Sequence, residues 1–198
     1  IMAEPLNTMT IQQALELAVE HHKADRLSEA EAIYQQILRQ DPNQADAIHM
    51  LGVLAYQAGK NELAVELITR AVTIRPDFAE AYCNLGVAYD ALGNLGAALD
   101  SYRAALTIKE DYAAAHYNIG NTLRKQNKLE DAIFSYHRAL SLQSKHAATH
   151  NNLGLALQET GKLEAARDCY LQSLSLRPDF PEAWQNLRAT VKALEYVT

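Results

Sequence analysis

Apolar residues fall at three- and four-residue steps along most of the chain, as in Leu85, Tyr89 and Leu92 and then Ala98, Leu99, Tyr102 and Leu106. That spacing gathers them on one face of a helix, and nowhere do they alternate with a period of two over a useful length. The pattern predicts an all-α protein. Short turns separate the helices, occupied by Gly59, Gly93 and Gly161 and, at the corresponding place, by Asn127. These are the residues that a helix end needing a left-handed conformation selects. Pro42, Pro76 and Pro178 then close the helix that follows each turn, because proline cannot continue a helix and disfavours it in the preceding residue. The element is a helical hairpin.

The hairpin repeats without a gap. Gly52, Gly86, Gly120 and Gly154 recur every 34 residues, as do Ala30, Ala64, Ala98, Ala132 and Ala166. Tyr34, Tyr102, Tyr136 and Tyr170 form a third series, with Ile68 in the missing place. The repeats run 11–44, 45–78, 79–112, 113–146 and 147–180, and a terminal helix starts at 181, so the array covers 11–194. The first repeat diverges most, as an end unit with one neighbour does. Residues 1–10 form a lead-in whose Thr10 is placed to cap the first helix. Ile1 precedes the Met2 at which translation would start and is set aside. Small residues facing each other across a hairpin let its two backbones approach closely, so enlarging Gly120 or Ala132 is expected to overpack it.

Composition narrows the function. The chain is 48% hydrophobic and 21% charged, the balance of a globular protein, and carries a net charge of −6, which disfavours a general nucleic-acid binder. The charge is uneven: residues 1–112 hold 8 basic against 16 acidic side chains, residues 113–198 hold 10 against 8. Glu4, Glu16 and Glu20 interrupt the N-terminal stretch, so neither a signal peptide nor a membrane insertion is expected and a cytoplasmic location follows. Cys83 and Cys169 stand at different places in different repeats and read as reduced thiols. His146 and His150 share a helix face at zinc-pair spacing, but no third ligand is evident, so no metal is expected. No phosphate loop, nucleophile elbow or paired carboxylates appear, so the chain reads as no enzyme and as needing no cofactor.

The spaced Leu-Gly, Tyr, Ala, aromatic, Ala and Pro positions resemble the tetratricopeptide repeat (TPR), with Tyr82 and Trp184 in its opening aromatic place and Ile48, His116 and His150 departing from it. The resemblance implies a right-handed α-solenoid of tandem TPR helix-turn-helix hairpins. The segments AYCNLG, HYNIG, HNNLG and AWQNL place Asn84, Asn118, Asn152 and Asn186 before the Leu/Ile-Gly pair or its equivalent. This is similar to the repeat arrays of O-linked N-acetylglucosamine transferases and related bacterial proteins, where such asparagines hold an extended peptide by its backbone. Met50 and Glu16 break the series in the first two repeats, so the resemblance puts a peptide track in the third to sixth.

Two readings of the asparagines stand side by side: peptide contact, since an amide both donates and accepts, or bracing of the neighbouring helix. Tyr117, Asn121, Arg124 and Lys125 surround Asn118 and make the fourth repeat the most basic part of the expected groove, suited to an acidic partner or simply to a solvated helix end. A carboxylate-clamp reading is weaker, because Tyr117 stands where co-chaperones of the family carry their first Lys. The expected function is a noncatalytic protein-protein interaction scaffold binding an extended peptide or protein segment in a concave groove. The alternatives are the substrate-recognition region of a larger enzyme such as a glycosyltransferase, or a self-assembling module. Ala193, Leu194, Tyr196 and Val197 leave an apolar edge on the C-terminal helix through which self-association is expected.

Overall fold

The computed structural model describes residues 9–195; Tyr196, Val197 and most of the lead-in lie outside the described residues. Eleven helices and no strand occur among them: α1 (Ile11–Lys23), α2 (Leu27–Gln40), α3 (Ala45–Gln57), α4 (Asn61–Ile74), α5 (Ala79–Ala91), α6 (Leu95–Ile108), α7 (Ala113–Lys125), α8 (Leu129–Leu142), α9 (Ala147–Glu159), α10 (Leu163–Leu176) and α11 (Pro181–Glu195). The chain divides within α6 into two compact units, up to Ser101 and from Tyr102. In the first unit α1 packs on α2, α2 on α3, α3 on α4 and α4 on α5, and α3 also meets α5. In the second, α7, α8, α9, α10 and α11 pack in the same succession, with α7 meeting α9 and α9 meeting α11. This is the all-α solenoid packing of tandem hairpins, in which each helix touches its neighbours in sequence.

The turns explain the punctuation. Gly59, Gly93 and Gly161 have φ of 73°, 75° and 77°, and Asn127 matches them at 57°. Asp25 does the same work in the first hairpin at φ 58°, a place the sequence pattern leaves unmarked. Asn and Asp tolerate this region because their short polar side chains bond locally. At the other end of each hairpin, α2, α4 and α10 stop one residue before Pro42, Pro76 and Pro178, at Asp41, Arg75 and Arg177. Helix α8 stops at the same repeat position, capped by Gln143, with no proline following. Packing against the next hairpin therefore sets the boundary, and proline only reinforces it. Thr10 closes the N-terminus of α1 through a capping box, accepting from the Gln13 amide at 3.2 Å while Gln13 Oε1 accepts from the Thr10 amide at 2.9 Å.

Inside the second, fourth and fifth hairpins a glycine faces the ring or branched side chain of the helix behind it. A methyl group at Gly120 would stand 2.6 Å from Tyr136 Cε1, one at Gly154 2.6 Å from Tyr170 Cε1, and one at Gly52 2.5 Å from Ile68 Cγ1. Tyr136 and Tyr170 are wholly buried and cannot swing aside. The alanines at the facing positions, Ala30, Ala64, Ala132 and Ala166, are also fully buried. The aromatic series thus fills the space that the glycine series leaves, and burying each ring contributes about 1.5–3 kcal/mol.

Gly120→Ala and Gly154→Ala are each expected to destabilise the protein by about 1–3 kcal/mol through overpacking. Denaturant midpoints unchanged in both variants would contradict this close approach.

Candidate functional site

The first helices of successive hairpins carry the polar side chains singled out from sequence, and the structure shows what those side chains touch. In the second unit Asn152 Nδ2 donates to Asn121 Oδ1 at 2.9 Å and to the Tyr117 hydroxyl at 3.2 Å. Asn186 Nδ2 donates to Asn151 Oδ1 at 3.0 Å, and Asn151 Nδ2 to Asn152 Oδ1 at 3.2 Å. The Tyr136 hydroxyl adds a bond to Asn121 Oδ1 at 2.9 Å, tying the second helix of its hairpin into the same network. In the first unit Asn84 Nδ2 lies 2.9 Å from His49 Nε2. Asn118 is half-buried on α7 and is also engaged.

A rule connects these contacts. His49 and Asn84, Tyr117 and Asn152, and Asn151 and Asn186 are each 35 residues apart, one more than the repeat. A second row obeys the same step one helix end further on, where His22 Nε2 meets Gln57 Oε1 at 3.0 Å and Arg124 meets Glu159 at 2.9 Å. Equivalent helices are offset, so these side chains meet at i+35, with the Asn121–Asn152 bond, at a spacing of 31, as an exception. Each neutral bond contributes about 0.5–1.5 kcal/mol and the half-exposed ion pair about 0–1 kcal/mol. The ladder asparagines therefore brace hairpin to hairpin. Arg124, expected as a docking cation, is held by Glu159, and Lys125, exposed at the end of α7, is also engaged.

Where the asparagine ladder is broken, in the acidic first unit, the structure has a cleft of about 590 Å³. Leu15 and Val19 of α1, Met50 of α3 and Phe78 form its apolar surface. Glu16, Glu20, Asp46 and Glu80 stand around it, with Lys23 at one edge. Arg75 anchors the Phe78 side: its guanidinium stacks 3.5 Å from the ring centroid and bonds both Asp46 oxygens, at 2.7 and 3.0 Å. Burial alone would raise the Asp46 carboxyl, but the bonds from Arg75 and Gln44 bring it below its ordinary value. The same cation-over-aromatic pair recurs at Lys109 with Tyr112 and at Arg177 with Phe180, so it belongs to the repeat. Sequence reasoning passed over this cleft because it looked for the ladder; Leu15, Val19 and Met50 interleaved with Glu16 and Glu20 were the available signal.

His49 is the buried polar residue at the cleft, with Phe78 edge-on at 4.7 Å. Burial pushes its imidazole down to about 4, against smaller opposing pulls from Asp46 and Glu80. The neutral ring agrees with the geometry, since Nε2 must be unprotonated to accept the Asn84 amide. His146 lies edge-on to Tyr117 at 5.3 Å and meets Thr149 Oγ1 at 2.6 Å, while His150 meets the Ser144 carbonyl at 3.0 Å. Both histidines are thus occupied structurally, and no group of three metal-ligating side chains occurs among the described residues. Cys83 is buried, and burial raises the Cys169 thiol to about 11, so neither sulfur is a ready nucleophile.

On α11 the exposed apolar residues are Trp184 and Val191, whereas Ala193 and Leu194 are half-buried. Trp184 is 45% exposed, and its indole N–H donates to the Pro178 carbonyl at 2.9 Å. No described helix is long and apolar enough to cross a membrane.

The depressed His49 value gives a pH dependence with a definite sign. The unfolded imidazole takes its proton near pH 6.5 and the folded one near pH 4, so the His49 contribution is complete above about 6.5 and is lost toward about 4. Over that range His49→Gln is expected to lose on the order of 2–3 kcal/mol less stability than the parent. Parallel stability-versus-pH curves for the two proteins would contradict the buried neutral imidazole.

Tetratricopeptide repeat models match residues 49–115 and 147–180, and a TPR repeat model matches 120–161. No curated protein sequence matches the chain. Among solved structures, PilF of Pseudomonas aeruginosa superposes with a TM-score of 0.85 at 17% identity, over 93% of this chain and 84% of that one. TTC0263, a thermophilic TPR protein of Thermus thermophilus, gives 0.76 at 22% identity, over 92% and 99%. YrrB, described as a TPR protein with an unusual peptide-binding site, gives 0.68 at 19% identity, over 87% and 89%. At these identities the likeness speaks for the fold, and it agrees with the repeat models, the glycine-aromatic register and the hairpin turns: the chain is a tetratricopeptide repeat protein.

Proposed function

We propose that the protein is a noncatalytic scaffold that holds an extended segment of a partner protein against the first-helix face of its hairpins. The observation that carries this reading is the cleft between α1, α3 and the start of α5, where half-buried Val19, Met50 and Phe78 stand beside the core residue Leu15 among charged side chains. Its size suits several side chains of a peptide more than a single small metabolite. The braced polar rows support the same reading, because a face whose side chains are already held by their neighbours binds without ordering them first. The asparagines of the second unit enter as this bracing, with their remaining carbonyl oxygens and Tyr117 as secondary contacts.

A benzophenone amino acid placed at Met50 is expected to cross-link random peptides selected on the intact protein, whereas the same probe at Leu63, exposed on the second-helix side of α4, is not. Selection of no peptide, or cross-linking from Leu63 alone, would contradict the scaffold reading.

A further inference from the structure

The scaffold reading leaves open what the first-unit cleft selects, and the charges around it answer that. Four carboxylates and one lysine stand around an apolar surface, a clear excess of negative charge, although Arg75 bonds Asp46, the neutral Gln12 donates to Glu16, and Glu80 is also engaged. Glu16 and Glu20 lie on the exposed side of α1 and Glu80 on the exposed side of α5, on opposite flanks of Leu15, Val19 and Met50. A side chain that suits both features has an apolar stem and a cationic end, and among natural residues only Lys and Arg do. Arg75 shows the arrangement from within: its stem and guanidinium lie on Phe78 and its charge meets a carboxylate.

We infer that the cleft of the first unit takes a basic, apolar peptide segment in which Lys or Arg alternates with aliphatic residues. Alternation matters because an extended peptide sends successive side chains to opposite sides, so the cations can reach the flanking carboxylates while the backbone runs over Val19 and Met50. This rests on the scaffold reading and adds the chemical class of the partner.

Fluorescence anisotropy on the intact protein with a labelled Lys-Leu alternating peptide tests it. The Lys-Leu peptide is expected to bind roughly ten-fold or more tightly than its Gln-Leu and Lys-Gly counterparts, and to weaken as salt is raised. Glu16→Gln/Glu20→Gln/Glu80→Gln is expected to lose at least about ten-fold of that affinity, whereas Glu62→Gln/Glu66→Gln, which removes charge from α4 outside the cleft, leaves it unchanged. Equal loss in both variants would reduce the effect to net charge and overturn the inference. Equal binding of the Gln-Leu peptide, displaced by Met50→Lys, would overturn the basic specificity while leaving the scaffold reading standing. Failure of every peptide to bind would overturn both.

Discussion

The whole array depends on how closely two helices of one hairpin approach. Gly52, Gly120 and Gly154 bring the first helix against Ile68, Tyr136 and Tyr170 of the second, at distances that leave no room for a methyl group. With the backbones so close, the hairpin core is filled by alanines and one large ring, and little of the first helix's outer face is needed for stability. That outer face is free to carry polar and charged residues, and the surface chemistry can change from repeat to repeat without disturbing the register beneath it.

Those outer side chains then organise one another. The step of 35 residues follows from a 34-residue repeat whose first helices lie offset, and it links unlike pairs: a histidine with an asparagine, a tyrosine with an asparagine, an arginine with a glutamate. The chemistry varies and the geometry does not. Such a face is stiff where it is paired, as from Tyr117 to Asn186, and becomes acidic where carboxylates stand around apolar side chains, as around Met50.

The repeat made most of the fold legible. Gly59, Gly93 and Gly161 mark the turns because their φ is positive, and Asn127 could be read in their place for the same reason. Asp25 escaped notice because the divergent first repeat offers no series to compare it with. The site was less legible: the sequence leaves peptide contact and bracing open side by side, because partners such as His49 of Asn84 and Asn151 of Asn186 lie 35 residues away on another helix. Scanning the polar positions at that offset would have paired Tyr117 with Asn152 and Arg124 with Glu159 from the sequence alone. The cleft was missed for a different reason: its apolar surface comes from Leu15, Val19 and Met50, of which Leu15 and Met50 also serve the core, and the sequence pattern does not encode how much of them faces outward.

The proposed recognition by the acidic cleft, with the paired asparagines acting as bracing, is tested most directly by nuclear magnetic resonance during titration with the Lys-Leu peptide. The account predicts that amide shifts concentrate at Glu16, Val19, Met50 and Glu80, while the side-chain amides of Asn152 and Asn186 keep their positions. Shifts centred on Asn152 and Asn186, with the first unit unmoved, would contradict it.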